Sequence, residues 1–119
     1  MNIPSEKYLK EADFVGIVSG RKYDKFKETR LTPEKSKLVN APIVKEFPYA
    51  LECHLIKQLD LGLHTMFIGE IVAAYANEDC VENGKPNALK VKPTIMMGSG
   101  YFDLNDRVGS LFQTHSDKK

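Results

Sequence analysis

The chain has 119 residues, 28% of them charged and 42% apolar, enough for a single domain whose core has little to spare. Lys and Arg total 17 against 16 acids, a net charge of +1. That balance argues against a dedicated nucleic-acid or membrane-surface binder, which carries a clustered basic excess. No apolar run reaches the roughly 18 residues of a membrane span, and the first residues lack the basic-then-apolar order of a signal peptide. Cys53 and Cys80 are the only cysteines, with no CxxC and no ligand spacing to His54, His64 or His115. A reduced, cytoplasmic protein with no metal site is the expectation, and a disulfide between the two stays open.

In chain order, MNIPSEKYLKEADFVGIVSG predicts an extended residue or two and then a helix. Pro4 suits the first turn, where a missing N–H is harmless. Leu9, Ala12 and Val15 recur at helical spacing, and Gly20 supplies a stop. A second short helix begins at Asp24, and Thr32-Pro33-Glu34 opens a further turn before a polar connection ending at Ala41-Pro42. Tyr49 to Leu59 alternates: Leu51, Cys53, Leu55 and Leu59 form the buried side of a strand, with Glu52, His54 and Gln58 opposite. After the DLGL turn, a second strand runs from His64 to Ala76, near the upper end of strand lengths. Both its faces are apolar, as expected of a barrel wall that packs inward and also against a second body. The stretch from Ala76 to Pro93 reads as polar and turn-rich or weakly helical, with NGKPN its clearest loop. A short strand follows at Thr94 to Met97, then GSG, and YFDLNDRVGSLF predicts a last strand leading into a short helix. The tail THSDKK is expected to fray.

This inventory leaves a deficit. Three or four strands are too few to close a small barrel, which takes about five to eight, and the long hairpin would have bare edges, which natural proteins avoid. Further strands are expected from a partner or from upstream.

His64 stands among apolar neighbours in LGLHTMFIGEI. It is either a structural or solvated imidazole or a donor to an anionic or electron-rich ligand beside a turn. Gly69, in mid-strand, weakens the strand unless something approaches closely. SGRKYDKF (Ser19 to Phe26) puts a hydroxyl, a glycine and three cations in one loop entering a helix, which fits phosphate binding or a solvated corner between helices. It is not a P-loop, because GxxxxGK[ST] is absent. GSGYF places Tyr101 and Phe102 after a flexible turn, where either ring could stack on a planar ligand. No Ser/His/Asp set, paired-carboxylate signature or HExxH is present. An OB-like binder of single strands would need a basic groove with aromatic platforms, and the charge and sparse aromatics oppose it.

Together and in order, NIPSEKYLKEADFVGIVSGRKYDKF, LTPEKSKLVNAPIVKEFPYALECHL, LGLHTMFIGEIVAAYANED and YFDLNDRVG resemble the flavin reductase-like family with the FMN-binding split barrel, in its flavoredoxin branch. The resemblance implies a mainly β fold with short helices, a partial split β-barrel formed by residues 1–119 as one domain. Members are usually larger, with their first barrel strands before the point matching Asn2-Ile3-Pro4. This chain therefore looks like the C-terminal portion of such a protein: a fragment, a misplaced start or a shortened variant. The family implies a homodimer that holds FMN non-covalently and passes electrons between a reduced nicotinamide, NAD(P)H, or a protein donor and an acceptor. By resemblance, Lys25 matches a basic position near the flavin, His64 a flavin-side histidine, and Tyr101 or Phe102 an aromatic close to the ring system. Ser19 is a further candidate. Gly69 would relieve crowding where strands or subunits approach. Family contacts from upstream strands have no counterpart here. The rival expectation is a dimerisation or interaction module that no longer retains flavin.

Overall fold

A computed structural model describes residues 1–108, and the predicted final short helix lies partly outside them. The organising element is a long antiparallel hairpin of β4 (Tyr49–Asp60) and β5 (Thr65–Ala76). Before it come β1 (Asn2–Ile3), α1 (Leu9–Ile17), α2 (Lys25–Thr29), β2 (Pro33–Lys35) and β3 (Pro42–Val44). After it come β6 (Val81–Glu82), β7 (Lys85–Pro86), α3 (Ala88–Val91), β8 (Ile95–Met97) and β9 (Gly100–Phe102). The molecule is mainly β with short helices, as the sequence predicts.

β1 lies against the start of β4, with Asn2 opposite Ala50, and β5 flanks β4 on the other side. β2–β3, β6–β7 and β8–β9 form separate two-stranded sheets. The β6–β7 turn is Asn83-Gly84, with φ of 52° and 72°, the pair of positive values a tight two-residue hairpin turn takes. The two helices expected near the start are present. Asp24 caps α2 by accepting from the Lys27 amide at 3.2 Å, which satisfies one orphan donor of the first turn.

Three expectations need correction. Thr32-Pro33-Glu34 does not open a turn: Pro33 begins β2, paired antiparallel with β3. Each strand starts with a proline, which a strand tolerates at its first residue. His64 precedes β5 instead of lying in it, and its carbonyl accepts from the Leu61 amide at 2.8 Å to close the turn. Most telling is the face of β4. Ala50 and Glu52 are buried, at 3% and 1% exposure, whereas Leu55 is 61% exposed. At the start of the strand the inward side is therefore the one carrying Glu52, whereas farther along His54 and Gln58 are exposed and Leu59 partly buried, as expected. The alternation shifts at irregularities between Glu52 and Cys53 and between Leu55 and Lys57.

Glu52 can be buried because its charge is fully engaged. Its two carboxylate oxygens accept from the amides of Lys37 and Leu38 at 2.8 and 2.7 Å, and the Val39 amide and Tyr75 hydroxyl bond it as well. Burial pushes this carboxyl up, but the amide and hydroxyl hydrogen bonds outweigh it and hold the group below the usual carboxylate range. Successive amides converging on one anion form the concave backbone site that suits a carboxylate. The clamp fixes the connection between β2 and β3 against β4.

Candidate functional site

The C-terminal end of α1 gathers three of the four candidate residues. Phe14 takes the Tyr23 ring edge-on, with centroids 6.4 Å apart, so the SGRKYD loop folds back on the helix. Within the loop the Ser19 carbonyl accepts from the amides of Lys22 and Tyr23 at 3.0 and 3.1 Å. The Ser19 hydroxyl accepts from the Arg21 amide at 3.3 Å. The Lys25 ammonium donates to the Val15 carbonyl at 2.5 Å. That carbonyl belongs to the last turn of α1, where acceptors have no partner within the helix and a cation complements the dipole. Lys25 is thus half-buried and anchored, while Arg21 and Lys22 are exposed.

Tyr101 reaches the same helix from β9. Its hydroxyl donates to Asp13 at 2.7 Å. This hydrogen bond, with burial and the Asp13 charge behind it, raises the phenol above its ordinary value, so it stays a protonated donor. Phe102 beside it is 52% exposed. Ser19, Lys25 and Tyr101 are therefore held around one short helix.

His64 is not brought to them by any described bond. It sits in the turn joining β4 and β5, exposed, at the far end of the hairpin from Tyr49. Gly69 shows the close approach expected of it: a Cβ there would meet the Cys53 Cβ at 3.1 Å and the His54 carbonyl at 3.3 Å. The cysteines are free, Cys80 buried and Cys53 partly so, and burial pushes the Cys80 thiol up. A cavity of about 820 Å³ lies elsewhere, between Asn87, Leu89 and the segment around Leu104, and none of the four candidates lines it.

Sequence reasoning missed Glu52 as an inward group. The signal it could have used is the acid placed two residues after Ala50 on the side opposite the leucines. Only its partners, at Lys37 to Val39, show why that side faces in.

The flavin reductase like domain family matches residues 1–105. The chain belongs to this family. Among flavin reductase-like proteins of known structure, the flavoredoxin of Desulfovibrio vulgaris (Miyazaki F) is 38% identical with a TM-score of 0.86, over 96% of this chain and 62% of that one. The flavoredoxin from Methanosarcina acetivorans is 31% identical, TM-score 0.84, over 99% and 63%. A split-barrel protein from Shewanella frigidimarina, at 24% identity and TM-score 0.74, shares the fold. An uncharacterized protein of Archaeoglobus fulgidus is 36% identical over 71% of this chain and 48% of its own length. This flavin reductase-like chain thus spans about half the length of that curated relative and under two thirds of the flavoredoxins. Its fold is the corresponding part of a split barrel.

No helix among the described residues is long and apolar enough to cross a membrane.

Proposed function

We propose that this chain is the flavin-holding portion of a flavoredoxin-like redox protein, binding FMN non-covalently and passing electrons through it. The observation that carries the reading is the 38% identity to flavoredoxin over 96% of the chain, at a TM-score of 0.86.

The donor set at α1 fits the cofactor's chemistry. Arg21 and Lys22, exposed in a loop whose backbone is already fixed by Ser19, can take a phosphate. Lys25 adds positive charge from its anchored position on Val15. Tyr101 and Phe102 present partly exposed rings to a planar group. Bound flavin would supply the redox chemistry, and the protein its position and electrostatics. His64 would act as a donor from the hairpin turn. In this reading the protein works as a homodimer in the cytoplasm and meets a reduced nicotinamide, NAD(P)H, or a redox partner protein, without nucleic acid or membrane.

A second reading has its own support. The exposed apolar residues of β5 fit an interaction module that has no flavin of its own.

The visible spectrum of the purified chain, taken before and after FMN addition and desalting, separates the two. Retained flavin absorbance favours the first reading, and folded protein without flavin favours the second. If flavin is retained, Lys25→Ala and His64→Ala should each weaken retention while leaving the protein folded. Unchanged FMN affinity in both variants would sink the site assignment.

A further inference from the structure

A groove lined by none of Ser19, Lys25, His64 and Tyr101 has the features of a built site. It lies between the β2–β3 hairpin and the sheet where β4 begins and β5 ends. Its volume is about 220 Å³, and Lys35, Lys37, Lys45, Phe47, Ala50 and Tyr75 line it. Three lysines meet there against one lining acid, Glu34. The ion pair among the described residues, Lys92 with Glu6, involves none of them. In a chain of net charge +1, this is a local excess of positive charge above an apolar and aromatic floor.

The groove is also pre-arranged, and the group that arranges it is the buried Glu52. Its carboxylate holds the Lys37 amide at 2.8 Å and bonds the Tyr75 hydroxyl. One anion therefore fixes the backbone at Lys37 and engages the Tyr75 hydroxyl, and the exposed Lys37 ammonium rests 5.5 Å from the Tyr75 ring centroid. A backbone and a ring set in place before binding reduce the ordering cost of taking a ligand. A carboxylate buried at this point has no part in the flavin reading, and holding the groove gives it one.

We propose that this groove binds a small organic acid: a carboxylate or phosphate between Lys35, Lys37 and Lys45, carried on a planar apolar body that lies against Phe47 and Tyr75. The size suits a small ligand. Drug-sized pockets occupy roughly 300–1,000 Å³, so the 220 Å³ of this open groove matches a single ring with its acidic group. Glu52 is a positioning residue, since it acts through Lys37 and Tyr75.

The test uses the ¹⁵N-labelled 119-residue chain titrated with benzoate, with benzyl alcohol as the neutral analogue and with inorganic phosphate as the anion alone. Benzoate should shift the amides of Lys35, Lys37, Lys45 and Ala76 saturably, and added salt should weaken it. Benzyl alcohol and phosphate should each bind at least about tenfold more weakly, because each lacks one half of the recognition. The double variant Lys35→Gln/Lys45→Gln lies on exposed positions and should lose benzoate binding with an otherwise unchanged spectrum. Glu52→Gln should weaken binding even with both of those lysines in place. Benzoate shifts that fail to saturate would overturn the proposal, as would binding that survives the double variant. Equal affinity for inorganic phosphate would also overturn it, because that outcome reduces the groove to general attraction of anions.

Discussion

Glu52 and Glu46 each hold backbone amides, but in different surroundings, and the pH dependence of stability should tell them apart. Both carboxyls lie below the ordinary value near 4.5: Glu46 through hydrogen bonds from Thr32, and Glu52 through amide and hydroxyl bonds that outweigh its burial. A carboxyl that ionises more readily folded than unfolded stabilises the fold above the unfolded value. That contribution disappears as pH falls through the lower, folded value. Stability should therefore be level above about pH 4.5 and fall below it. Glu52→Gln should lower stability at neutral pH and flatten the acid fall, because the amide keeps one acceptor oxygen and turns an N–H₂ toward an amide that needs an acceptor. Glu46→Gln should do less, since Glu46 is not buried and water can replace what it gives up. Thermal melts of the three proteins between pH 3 and 7 check this. Equal losses in the two variants would mean that the Glu52 clamp adds nothing beyond a surface contact.

At the scale of elements, the hairpin was legible and its orientation was not. Alternation from Tyr49 to Leu59 and the run to Ala76 gave both long strands nearly to the residue. The rule that the apolar side faces in then failed at the start of β4, because the deciding partners of Glu52 lie 14 and 15 residues away, at Leu38 and Lys37. A local pattern carries no sign of them. The β2–β3 pair was lost for a similar reason, since its prolines and charges read as a connection while its pairing depends on two segments meeting. At the candidate site, SGRKYDKF gave the loop, but the Lys25 bond to Val15 and the Tyr101 bond to Asp13 appear only once the chain is folded. Gly69 is the residue whose reading survived best, and it gives a sharp contrast. Its missing Cβ leaves room for Cys53 and the His54 carbonyl, so Gly69→Ala must push the two strands apart and should cost roughly 1–3 kcal/mol. Gly16 lies within α1 with nothing within 4 Å of its would-be Cβ. Gly16→Ala should stabilise by roughly 0.5–1 kcal/mol through reduced freedom of the unfolded chain. Denaturant unfolding of both variants tests the pair, and a stabilised Gly69→Ala would refute the close approach.

The whole molecule is more extended than its length requires. Its radius of gyration is 16.6 Å and its extents are 57 × 35 × 31 Å, whereas a compact chain of this size has a radius of roughly 13 Å. The excess fits the hairpin, whose residues from Thr65 to Ile71 are all exposed. Ile56, Phe67 and Ile71 are 65%, 64% and 59% exposed, and the β8–β9 strands add Met96 and Met97 at 71% and 69%. Single exposed apolar residues are ordinary, but a run on a long strand is an interaction surface or an aggregation hazard. β1 covers β4 only at its start, and β5 has no further partner strand among the described residues. Strand edges of this kind offer unpaired N–H and C=O groups to another chain. The purified chain should therefore self-associate, with a light-scattering mass above that of one 13.4 kDa chain that rises with concentration. Placing charge on the hairpin with Ile56→Lys and Phe67→Lys should return it toward a single chain without loss of circular dichroism, because neither side chain belongs to the buried set. A monodisperse single-chain mass for the unaltered protein would show instead that this apolar surface is tolerated in water, and the homodimer reading would lose its physical basis in the hairpin.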